Sequence, residues 1–116
     1  MDFGVRPWFA VRCIFSIDLA ENPAGTTTYE ERITLWRASS AKEAIQLAEE
    51  EAVLYANELE VPRHLYLGFA QSFNLFEDAG HASEVFSLMR NSTLAPDEYL
   101  TKFFDTGSER LRNIAE

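Results

Sequence analysis

Ser40-Ala41-Lys42-Glu43, followed by Ala44-Ile45-Gln46-Leu47-Ala48, is the stretch that divides this chain. A serine three residues ahead of a glutamate at the mouth of an apolar-periodic run has the form of a capping box. The serine hydroxyl accepts from the N–H of residue 43, and the glutamate reaches back to the serine N–H. The spacing predicts a helix that begins at Ala41 and runs to about Leu59. Ala44, Ile45, Ala48, Ala52, Tyr55, Ala56 and Leu59 form its apolar stripe, while Lys42, Glu43, Glu49, Glu50 and Asn57 fall largely outside it. Pro62 stops any continuation, because the residue before a proline is pushed out of the α region. The alanines leave room for close approach to a sheet.

Working outward toward the N-terminus, Trp8 to Ile17 alternates: Phe9, Val11, Cys13, Phe15 and Ile17 share one phase, read as the core face. Glu21-Asn22-Pro23-Ala24-Gly25 is a turn-rich loop, after which Thr28 to Ala38 resumes the β pattern. In that second run Tyr29, Ile33 and Leu35 are read as core-facing, and Glu30, Arg32, Thr34 and Trp36 as the reverse face. Beyond the helix, His64 to Phe76 is a long strand candidate with Leu65, Leu67, Phe69, Phe73 and Leu75 in one phase. Gly68 marks a bulge or a close backbone approach. A turn at Glu77 to His81 leads to Ser83 to Asn91, a fourth β pattern with apolar residues in both phases. Leu94-Ala95-Pro96-Asp97-Glu98 then opens a second helix, with proline in the first turn and acids near its positive end. Its stripe is Tyr99, Leu100, Phe103 and Phe104, and Gly107 caps it.

The order strand, strand, helix, strand, strand, helix predicts an α+β fold with a four-stranded antiparallel sheet and two helices on one face. A single domain over residues 1–107 is expected, with 108–116 a charged tail or short helix. Nine phenylalanines, two tryptophans and four tyrosines in 116 residues supply ample apolar area for one core. No window approaches a membrane span and the N-terminus has no secretion-signal layout, so a cytoplasmic protein is expected.

A net charge of −9 repels phosphate backbones and argues against nucleic-acid binding, while favouring a basic protein partner. One cysteine, Cys13, excludes an intramolecular disulfide and a cysteine-built metal site. The run Glu49-Glu50-Glu51 spreads its side chains about 100° apart around a helix and does not converge on an ion. There is no phosphate loop, nucleophile elbow or zinc-protease helix signature. His64 and His81 have no partner at diagnostic spacing. The sequence therefore nominates no catalytic residue, no metal site and no cofactor.

What remains is the second face of the expected sheet. Trp8, Ile14, Trp36, Tyr66, Phe76, Phe86 and Leu88 are assigned to it, interleaved with Arg12, Arg32, His64, Glu84 and Arg90. Tryptophan, tyrosine and arginine are the residue types enriched where interfaces concentrate their energy. Trp8, Arg12, Ile14, Arg32, Trp36, Tyr66, Phe86 and Arg90 are accordingly the candidate interaction residues.

The run Trp8-Phe-Ala-Val-Arg12 with Tyr29-Glu-Glu-Arg-Ile33, the helix entry from Ala38 to Ala44, Glu84-Val-Phe-Ser87, and Tyr99-Leu100 with Gly107-Ser-Glu-Arg110 resemble small bacterial proteins of domain-of-unknown-function family 4288. The likeness covers nearly the whole chain through structural patterns. It implies the domain extent and a bacterial cytosolic setting, and supplies no activity and no site residue. The expected function is a non-enzymatic protein-interaction module, a homodimer through the free sheet face or a small acidic inhibitor or immunity-type partner of a basic protein. The alternative is a small-molecule domain in which Arg12, Arg32 or Arg90 orients an anionic ligand against the aromatic face.

Overall fold

A computed structural model describes residues 6–110. Strands β1 (Trp8–Asp18), β2 (Thr28–Arg37) and β3 (Arg63–Asn74) form one antiparallel sheet in the order β2-β1-β3, with helix α1 (Ala41–Glu58) between β2 and β3 in the chain. Helix α2 (Pro96–Tyr99) continues directly into a π-helical turn over Leu100–Phe104.

The start of α1 follows from its sequence, with one change of partner. Ser40 Oγ accepts from Glu43 N at 3.1 Å, but the Glu43 carboxylate takes the N–H and hydroxyl of Ser39, at 2.6 and 3.0 Å, instead of the Ser40 N–H. Both contacts with Ser39, backbone first, hold the Glu43 carboxyl below its usual range, with Arg6 adding to them. Ala44, Ala48, Ala52 and Ala56 are the buried residues of α1. Their short side chains let the helix settle onto Phe9, Val11, Cys13 and Phe15 of β1, all buried as the alternation predicts. Phe15 anchors the contact between Tyr55 of α1 and Tyr66 of β3, with ring centroids 5.2 and 5.5 Å away.

Three expectations are corrected. The sheet has three strands, because Ser83 to Asn91 forms none. Its apolar residues occupy both phases, so no single face directs it onto the sheet. The chain also leaves β3 through Phe76 at φ 64°, a left-handed conformation that re-aims it.

The second helix does not share a face with the first. No Cα of α2 or of its π-helical continuation lies within 8 Å of a strand or of α1.

The third correction is the phase of β2. The register pairs Phe9 with Trp36, Val11 with Thr34, Cys13 with Arg32 and Phe15 with Glu30. These β2 residues therefore lie on the α1 side, and Tyr29, Ile33 and Leu35 on the other. β3 is reversed in the same way, since Phe15 pairs with Tyr66 and Cys13 with Ala70 while Leu65 and Phe73 fall opposite Ser16 and Ala10. Between those pairs Leu67, Gly68 and Phe69 face the single residue Ile14, and Gly68, at φ 82°, absorbs the bulge.

The expected tail begins at Ser108 without regular structure, and its residues 111–116 lie outside the described residues. Among the described residues, no helix is long and apolar enough to cross a membrane.

Candidate interaction surface

The register splits the candidate residues between two faces. Trp36, Arg32 and Tyr66 lie under α1 and are occupied there. Arg32 donates two hydrogen bonds to the Glu51 carboxylate, both at 2.8 Å, and its guanidinium sits 3.8 Å from the centroid of the Tyr55 ring. The Tyr55 hydroxyl donates to Glu30 at 2.8 Å, and Tyr66 donates to Glu49 at 2.5 Å. Trp36 Nε1 donates to Thr34 Oγ1 at 2.7 Å.

These pairings explain how a polar β2 phase comes to face a helix: each charge meets a counter-charge or hydroxyl offered by α1 or the neighbouring strand. The hydrogen bonds from Arg32 hold the Glu51 carboxyl below its ordinary value. Burial, and then the bond to Glu49, pushes the Tyr66 phenol well up. Burial likewise raises the Cys13 thiol. With both tyrosine hydroxyls donating to carboxylates and Arg32 paired with Glu51, this layer is a polar seam between helix and sheet.

Trp8, Arg12 and Ile14 lie on the opposite face, as their phase predicts. Arg12 donates to Gln71 Oε1 at 2.6 Å, approaches Glu31 at 3.5 Å and lies 5.0 Å from the Phe86 ring centroid. Phe86 in turn meets Phe73 at 5.9 Å. Arg37 stacks 4.8 Å from the Trp8 ring and reaches Asp78 at 3.7 Å. These contacts, with buried Leu75 and its N–H bonded to the Trp8 carbonyl, cover one end of the face. The Trp8 indole Nε1 is buried there without a hydrogen-bond partner.

The rest of the face is apolar and open. Tyr29 is 61 % exposed, Ile33 42 %, Leu35 41 %, Leu65 54 % and Phe69 70 %. Sequence reasoning placed the first three of these in the core. Period-2 alternation separates two faces and does not say which one a helix will cover.

Arg90, the last candidate, lies away from the sheet: it donates to the Tyr99 hydroxyl at 3.0 Å and stacks 4.4 Å from the Phe103 ring. Arg12, Arg32 and Arg90 thus occupy three separate places, each with partners inside the chain, and do not converge on one anion. Comparison of the chain with family models, with curated proteins and with solved structures found no match.

Proposed function

We propose that this chain is a protein-interaction module acting in the bacterial cytosol, and that its working surface is the sheet face turned away from α1. One observation carries the reading: five large apolar side chains on the outer strands β2 and β3, from Tyr29 to Phe69, stand open to solvent on the same face of the sheet. Contiguous apolar surface of this kind is what soluble proteins cover with a partner. Arg12 and Glu31 cross the middle of this face, Arg12 opposite Ile33 on β1 and Glu31 between Tyr29 and Ile33 on β2, so that charge at its centre orients a partner held by the apolar residues on either side.

Catalysis needs polar groups converging on a reacting atom. The polar side chains here are instead paired across the helix–sheet seam, which supports a binding role.

The test is a photo-activated cross-linking residue placed at Ile33 in the full chain, with Asn57 on the exposed side of α1 as the control position, irradiated in the expressing cell. A discrete adduct at position 33 and none at 57 is expected. An adduct of twice the 13.2 kDa chain identifies a second copy, and one of another mass identifies a different protein, for which a basic partner suits the −9 charge. Absence of any protein adduct at position 33 overturns the reading.

A further inference from the structure

The segment after β3 is a second place where large apolar side chains gather in the open, besides Val53 and Leu54 on the outer side of α1. Past Phe86 the chain runs without regular structure to Pro96 and then makes one short helix. Val85, Leu88, Met89, Leu100, Phe103 and Phe104 along it are exposed, Met89 at 90 % and Phe104 at 74 %. No strand and no part of α1 supports the helix. The radius of gyration is 16.8 Å, against about 13 Å for a compact chain of this length.

We infer that this arm, Ser87 to Phe104, lies in solution across the open sheet face of a second copy of the same chain, and that the second copy returns the contact. The inference rests on the interaction reading above and names its occupant.

Three observations select a second copy. First, the arm and the face are complementary in kind and both belong to every chain, so a two-fold axis satisfies both at once and closes the assembly. Second, the base of the arm is held in a direction that keeps its end off its own sheet. Asp78 is tied to Arg37, Leu75 is buried, and Phe86 is held between Arg12 and Phe73. The left-handed residues Phe76 (φ 64°) and Ala82 (φ 65°) set the path between them.

Third, the areas fit. Arg90 ties the stretch before the helix to Tyr99 and Phe103, so the arm presents its apolar side chains as one compact unit. At roughly 200 Å² for each large side chain, the size of an aromatic one, and with about half of that exposed on average, the apolar residues of arm and face offer on the order of 1,000 Å² per copy. A stable interface of standard size buries ~800 Å² per partner.

The test uses two full-length variants of different tagged mass, Ile33→Cys on the face and Leu100→Cys on the arm, mixed at tens of micromolar under mild oxidation. Leu88→Cys and Phe104→Cys serve as further arm positions and Asn57→Cys as the background control, with circular dichroism verifying that each variant is folded. Cys13 is buried and stays out of the reaction.

The expected result is a disulfide-linked heterodimer of Ile33→Cys with at least one arm variant, several-fold above the Asn57→Cys control. Ile33→Cys alone is expected to give little. If Ile33→Cys cross-links chiefly to itself, the copies meet face to face, so the arm proposal falls and the interaction reading stands. If the chains stay monomeric and no arm variant exceeds the control, the second-copy proposal is overturned. The cross-link at position 33 in the cell then decides separately whether another protein occupies the face.

Discussion

Replacing Arg32 with alanine should cost about 2 kcal/mol of folding stability, between the ~0–1 kcal/mol of an exposed ion pair and the ~3–5 kcal/mol of breaking a fully buried one. The geometry sets that middle value. Arg32 makes two 2.8 Å hydrogen bonds to one carboxylate and stacks on Tyr55, yet the Arg32 and Glu51 side chains keep 23 % and 33 % of their exposure, so water still screens the pair. At roughly 4–8 °C per kcal/mol for a domain of this size, the melting temperature should fall by about 10 °C.

Urea unfolding followed by tryptophan fluorescence measures the loss, and a double-mutant cycle with Glu51→Ala should return a coupling of about 1–2 kcal/mol. The pH dependence supplies a second check. Glu51 has a folded pKa below its ordinary 4.5, so its contribution is fully present above about pH 4.5 and is lost as pH falls through the lowered folded value. The stability difference between wild type and Glu51→Gln should therefore be full at pH 7 and shrink toward zero in strong acid. A loss under about 0.5 kcal/mol for Arg32→Ala, or a coupling near zero, would refute the assignment of β2's polar phase to the helix side.

Ser40→Ala should destabilise the fold by about 1 kcal/mol in the same assay, through loss of the hydroxyl that accepts the Glu43 N–H. Because Glu43 holds Ser39 and not Ser40, the losses from Ser40→Ala and Glu43→Ala should be closer to additive than a reciprocal capping box would give. Cys13 should react slowly with a thiol reagent in the native protein and quickly in urea, since burial disfavours its thiolate. Rapid native labelling would place β1 in the wrong phase.

The parts of the fold legible in the sequence are those in which one pattern admits one outcome. The phase of β1 could be read because its core set, Phe9, Val11, Cys13 and Phe15, is apolar while the reverse set carries Arg12 and Ser16. The α1 start was legible in the same way, from Ser40. Hydrophobicity alone selects the wrong phase of β2 for the core. Glu30 and Arg32 go under the helix since Tyr55 and Glu51 wait there as partners, and pairings 25 and 19 residues apart leave no local trace.

The fourth strand was expected from alternation at Ser83 to Asn91. A strand exists only where a neighbour pairs with it, and nothing local supplies one. Of the candidate site, the β1 members Trp8, Arg12 and Ile14 were placed on the open face from sequence. The β2 residues that make that face apolar, Tyr29, Ile33 and Leu35, read as core from the sequence for the same hydrophobicity that marks them as an interface.

Sedimentation of the wild-type chain and of Ile33→Glu across a concentration series shows directly whether two copies meet through this face. A carboxylate at position 33 is cheap on a solvated sheet and costly in a desolvated contact, so it should disrupt association while leaving the unfolding midpoint of the monomer nearly unchanged. If two copies do meet there, the wild type moves to twice the 13.2 kDa chain mass as concentration rises through the micromolar range, while Ile33→Glu remains monomeric. A wild type that stays monomeric at high micromolar concentration, or an Ile33→Glu dimer as tight as the wild type, would contradict that contact.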